Sequence, residues 1–222
     1  MPSLPSRIFS FVLHHRHLLE GKLKRTSSGV DRFDRQRRIV GVLSRWPVVV
    51  ISAMVFGLFI GVVLPEQKRS VETAIGDGDS VDMSFFAPPD RIYQIAEDYG
   101  EEGRALYICH RLTFDVVWPL VYTLFYVSCI GFCLRYVHGD KKSITLLTSM
   151  SFLPLIFDFL ENAMAVAIMA LYPNRLPVVP ILLTGATSIK WLIVGSVSLV
   201  WIYGVVAVLI TATKRCLTKV TS

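Results

Sequence analysis

The stretch from Leu153 to Pro173 reads LPLIFDFLENAMAVAIMALYP, with Asp158, Glu161 and Asn162 standing at i, i+3 and i+4. In a helix that spacing puts all three on one face. Carboxylates set in so apolar a run have three chemical uses. They bind cations or cationic headgroups, they pass protons, or they serve as acid or base in a membrane enzyme. An uncompensated charge near the centre of a bilayer costs roughly 2.5 to 3.5 kcal/mol on insertion scales, so the pair demands a counter-charge or a proton.

Lys190, in the last apolar segment, is the candidate counter-charge, because a lysine stem reaches several ångströms from its helix. Asp115 and Tyr122 lie about two turns apart on a third segment. Together Asp115, Tyr122, Asp158, Glu161, Asn162 and Lys190 form a candidate ligand-binding or polar pocket. Arg104, Tyr107 and Arg111 form its candidate entrance, with donors suited to an anionic group. Plainer readings stand beside these. Lys190 next to Trp191 also reads as an interfacial anchor, and Asp115 with Arg111 as an i, i+4 pair of little worth. Asn162 also reads as an interhelical hydrogen bond, typically below about 1 kcal/mol.

The elements that must position these residues are apolar helices. The chain is 53% hydrophobic and only 18% charged, with a mean hydropathy of +0.52, beyond the range of an ordinary soluble domain. About 20 mainly apolar residues cross a bilayer as a helix. Four segments meet that length: 46–65, 112–134, 144–172 and 178–212, and Pro119 predicts a kink in the second. The expected fold is all-α, a polytopic membrane protein built as a four-transmembrane-helix bundle.

Charge sets the expected orientation. Residues 1–45 form a basic tail, residues 135–142 carry Arg135, Lys141 and Lys142, and residues 214–222 carry Lys214, Arg215 and Lys219. Residues 66–111 are acid-rich by contrast. The positive-inside rule therefore places both termini in the cytoplasm and the larger loop, 66–111, on the other side. Measured at about 1.5 Å per residue from the cytoplasmic ends, Asp158, Glu161, Asp115 and Lys190 rise roughly 20, 24, 30 and 34 Å, into the outer half of the bilayer. Within the loop, Ile92, Ile95, Ala96, Ala105, Leu106 and Ile108 have near-helical spacing, predicting a helix that turns near Gly100 and feeds the second span.

Several functions lack their signals. The net charge of +6 concentrates on membrane flanks, with no nucleic-acid motif, and fits contact with membrane lipid. Asp77, Asp79 and Asp82 resemble the start of a calcium loop, but Val81 and Pro88 occupy positions that need ligands, so no metal site is expected. Cys129 and Cys133 share a helix face without redox or zinc spacing. No zinc-protease, nucleophile-elbow or cofactor motif occurs, and no cofactor is expected. Residues 1–25, rich in Ser and Arg, leave open a targeting peptide, a disordered tail or a surface helix around Ile8 to Leu13. The membrane expected is the plasma membrane or an endomembrane, with an organellar inner membrane the alternative.

The leading functional expectation is a small-ligand or lipid binding or transport-related role for the acid/lysine cluster. The alternative is a structural or accessory subunit, associated with other membrane subunits, whose buried charges fix helix packing. A membrane-embedded enzyme is third.

Overall fold

A computed structural model describes residues 31–75 and 88–220, with side chains for 31–69 and 88–219. The basic tail before residue 31 and the acidic Asp77, Asp79 and Asp82 lie outside the described residues. The chain divides into two compact units between Ile39 and Val40. In the first, residues 31–39 are helical. The second contains every site residue.

All regular structure among the described residues is helical. In the second unit, α1 (Trp46–Leu58) passes through a π-turn (Phe59–Val63) into α2 (Leu64–Ile75). There follow α3 (Pro89–Asp98), α4 (Gly100–His138) and α5 (Lys142–Ser149), then a 3₁₀ turn (Met150–Phe152), α6 (Leu153–Leu171) and α7 (Val179–Val220). Four stretches are long and apolar enough to cross a membrane: Trp46–Arg69, Gly100–His138, Lys142–Leu171 and Val179–Lys219. The chain is thus a helical, membrane-embedded protein.

Local sequence explains the breaks. Prolines open α1, α3 and α6, where a missing N–H costs nothing. Pro154 also deprives the Met150 carbonyl of its helical partner, and the chain tightens there into the 3₁₀ turn, a break that hydropathy alone does not mark. Gly100 adopts φ +64°, a left-handed conformation that favours glycine. It turns α3 into α4 where the spacing predicts a turn.

Helix lengths depart from the expected spans. α4 has 39 residues and α7 has 42, about 58 and 63 Å at 1.5 Å per residue, roughly twice the hydrocarbon thickness. Polar residues at 100–111 lowered the local hydropathy without ending the helix.

Two apolar layers hold the bundle. At one end the amphipathic α3 buries Ile92, Tyr93, Ile95 and Ala96 against Tyr107, Ala165, Ile168, Met169 and Leu183. Tyr93 pins this cap: its hydroxyl donates to the Leu176 carbonyl at 3.2 Å and accepts from the Leu176 amide. At the other end Ile130, Leu134, Ile144 and Val197 pack together. α1 lies to one side against α4, with Phe56 stacked on Phe125 at 4.1 Å and Ser52 bonded to Ser128 at 2.6 Å. Gly131 lets Ser44 approach α4 so closely that a Cβ there would collide with the serine hydroxyl.

Candidate functional site

The buried residues of α6 are Pro154, Asp158, Glu161, Asn162, Ala165, Ile168 and Met169, the i, i+3, i+4 pattern of one interior face. The two acids and the amide therefore point into the bundle together. α4 presents Arg111, Asp115 and Tyr122 at i, i+4 and i+11, again one face. α7 contributes Lys190 on the face that also buries Leu183 and Thr187.

These faces converge on Glu161, which is fully buried. Lys190 Nζ lies 2.8 Å from Glu161 Oε2 and 3.2 Å from Asp158 Oδ1. Tyr122 donates its hydroxyl proton to Asp158 Oδ2. Arg111 Nη1 donates to Asn162 Oδ1 at 2.8 Å, pairs with Asp115 Oδ2 at 3.1 Å and approaches Glu161 Oε1 at 3.7 Å. Asn162 in turn donates its Nδ2 to the Asp115 backbone carbonyl at 2.9 Å. Each Glu161 oxygen thus faces a cation, Oε1 that of Arg111 and Oε2 that of Lys190.

All six predicted pocket residues thus meet in one cluster. Lys190 is 7% exposed, so it is an internal counter-charge rather than an interfacial anchor, although its Nζ also lies 5.6 Å from the Trp191 ring centroid. It reaches both Asp158 and Glu161; Asp115 pairs with Arg111 instead.

The three expected entrance residues separate. Arg111, 4% exposed, is a second internal cation of the cluster, and the i, i+4 pair with Asp115 is one edge of a network rather than an isolated surface bridge. The reason is helical phase: α4 begins at Gly100, so Arg111 lies well inside it on the same face as Asp115. Tyr107 lies under the Arg111 guanidinium, 4.9 Å from ring centroid to carbon. Arg104 stands apart, donating to the Ala96 carbonyl at 2.9 Å and covering the Tyr172 ring at 4.6 Å. It ties the cap to α4.

Chemically, three carboxylates face two cations, a formal excess of one negative charge. The surplus is placed unevenly. Asp158, Glu161, Arg111 and Lys190 are all buried and balance one another, whereas the Asp115 side chain keeps 25% of its surface exposed. Glu161 and Lys190 meet directly instead of standing on opposite walls of an open space.

Two features escaped the sequence reading. Ser52 with Ser128 joins α1 to α4; the signal was a lone serine on the same helix face as Phe56 and Phe59, in a span otherwise free of polar groups. An apolar cavity of about 200 Å³ lies beside the 3₁₀ turn, lined by Ile130, Met150, Ser151, Leu192 and Val197 among others. Cys129 and Cys133 are buried free thiols, as packing residues should be. Among the described residues no His, Cys, Asp and Glu side chains group to hold a metal ion. Compared with known protein families, with curated proteins and with solved structures, the chain matches none.

Proposed function

We propose that this chain is a multi-pass membrane protein of accessory or scaffold type, whose buried ion cluster locks α4, α6 and α7 into one register. The observation that carries this reading is the direct 2.8 Å contact between Lys190 and the fully buried Glu161, inside a network in which every charged member touches an opposite charge. A charge network of that kind fixes which residues face each other, because a slip of one residue strands an ion in low dielectric. Both termini lie in the cytoplasm in this reading, following the positive flanks, with α3 capping the opposite side. The open apolar faces of α1 and α7, including Ile51, Met54, Leu199, Ile202 and Leu209, then meet membrane lipid and other membrane subunits.

A second reading keeps the cluster as a site for a small cationic ligand or a transported proton. The formal surplus of negative charge and the partial exposure of Asp115 favour it. In this case the ion pairs must part for the ligand to enter.

Charge removal separates the two. Lys190→Met alone strands the buried Asp158 and leaves Glu161 with the Arg111 contact at 3.7 Å, and the expected loss of stability is about 3 to 5 kcal/mol. The double substitution Asp158→Asn with Lys190→Met removes the stranded ion, leaves Glu161 beside Arg111, and should recover most of that loss under the scaffold reading. The measurement is thermal exposure of Cys129 and Cys133 to a fluorogenic maleimide, in a background with the exposed Cys109 and Cys216 changed to serine. Native-gel analysis of assembled complexes accompanies it. A double variant that is stable and assembles normally, yet no longer moves protons or cations in liposomes as the unaltered chain does, would overturn the scaffold reading in favour of the second.

A further inference from the structure

The cavity beside the 3₁₀ turn has a composition opposite to that of the ion cluster. Its walls come from α4 (Ile130), the turn (Met150, Ser151) and α7 (Leu192, Val197), with Leu147 at its rim. Met150 is 48% exposed and Leu192 is 73% exposed, so the opening is continuous with the apolar outer face of α7. At about 200 Å³ it exceeds the engineered apolar cavity of about 150 Å³ that takes up benzene. Within a membrane span such a space fills with hydrocarbon.

One polar group interrupts the wall. Ser151 is 1% exposed and its Oγ has no hydrogen-bond partner. Neighbouring hydroxyls solve the same problem within their own helices: Thr148 donates to the Ile144 carbonyl and Ser149 to the Thr145 carbonyl, each at 2.8 Å. Ser151 lies within the 3₁₀ turn, where the backbone no longer offers the i−4 carbonyl in that geometry. A buried donor without an acceptor is costly, and Ser151 is one of the residues around the cavity.

The geometry points to a binding site for a neutral single-chain lipid bearing a carbonyl oxygen, with the chain lying in the apolar cavity and Ser151 Oγ donating to the carbonyl. Depth selects this class over the bulk bilayer lipid. Ser151 stands nine residues beyond Lys142, about 14 Å along the helix direction, deeper than the interfacial ester groups of a phospholipid whose headgroup stays in water. A single chain without a charged head can sink that far. This inference does not depend on the role of the ion cluster.

The test uses the full chain in phosphatidylcholine nanodiscs with a long-chain methyl ester carrying a diazirine, photolysed and mapped by peptide mass spectrometry. Labelling should concentrate on Leu147, Met150 and Leu192 and should saturate with unlabelled methyl ester. Ser196 of α7 also lines the cavity, and Ser196→Trp, which fills the groove from that side, should reduce labelling about tenfold or more. Should that variant fail to insert, Leu192→Trp fills the same space from its exposed edge. Ser151→Ala, a one-atom deletion, should reduce labelling about fivefold, the order expected for one hydrogen bond. Labelling that spreads evenly over α1 and α7, fails to saturate, or survives in Ser151→Ala or in the groove-filling variant overturns the proposal.

Discussion

Two helix junctions in this molecule are joined by different chemistry. α4, α6 and α7 are joined by ions, with Lys190 and Arg111 set between Asp158, Glu161 and Asp115. α1 meets α4 through a serine pair and stacked rings: Ser52 with Ser128 at 2.6 Å, and Phe56 on Phe125 at 4.1 Å. The first arrangement is expensive to break, because removing one member leaves its partner charged in low dielectric. The second is cheap, because lipid replaces the lost apolar contacts almost as well. The difference identifies a fixed three-helix core and a peripheral helix.

The largest effect that would break this comparison lies at Arg111, which serves Asp115, Glu161 and Asn162 at once. Arg111→Met should destabilise the protein by about 3 kcal/mol or more, measured by thermal thiol exposure, since Glu161 and Asp115 both lose a cation. Asp115→Asn, at the partly exposed edge, should cost well under half of that; equal losses would dissolve the distinction between centre and edge. Tyr122→Phe comes next. It removes a donor to an ionised acceptor, worth about 1.5 to 3 kcal/mol, and leaves the ion pairs in place.

Much of this core was legible in the sequence. The i, i+3, i+4 spacing of Asp158, Glu161 and Asn162 determines a shared face whatever the helix packs against, and a lysine in a neighbouring apolar segment is the obvious counter-charge. Arg111 was misassigned because hydropathy averages over a window and its own charge lowers that average. The expected span therefore started at residue 112, and Arg111 became an entrance residue. Helical phase relative to Asp115 and Tyr122 held the correct answer. The Ser151 cavity was not legible, since it depends on a 3₁₀ turn and on how α4 and α7 approach that turn. Such space is a property of three segments, and no one of them encodes it alone.

The peripheral junction should yield small numbers. Phe56→Ala removes one ring that stacks on both Phe125 and Trp118, and its expected cost is about 1 kcal/mol, the specific aromatic term. The 3 to 5 kcal/mol seen for buried aromatics in water-soluble cores does not apply, because in a bilayer lipid fills the vacated surface. A loss in that larger range would mean that α1 belongs to the fixed core.

Ser52→Ala gives the finest test of the comparison. Interhelical hydrogen bonds in membranes average about 0.6 kcal/mol, because the separated helices find other partners for the same groups. Each hydroxyl here has a carbonyl of its own helix in reach to which its single proton can turn, Ser52 the Val49 carbonyl at 3.0 Å and Ser128 the Phe125 carbonyl at 3.0 Å. Their mutual bond can therefore be lost without leaving an unsatisfied group. Ser52→Ala should leave thermal thiol exposure of Cys129 and Cys133 unchanged within about 1 kcal/mol, while crosslinking between cysteines placed on α1 and α4 falls. A shift as large as that of Arg111→Met would mean that hydroxyl and ion contacts hold these helices with equal force.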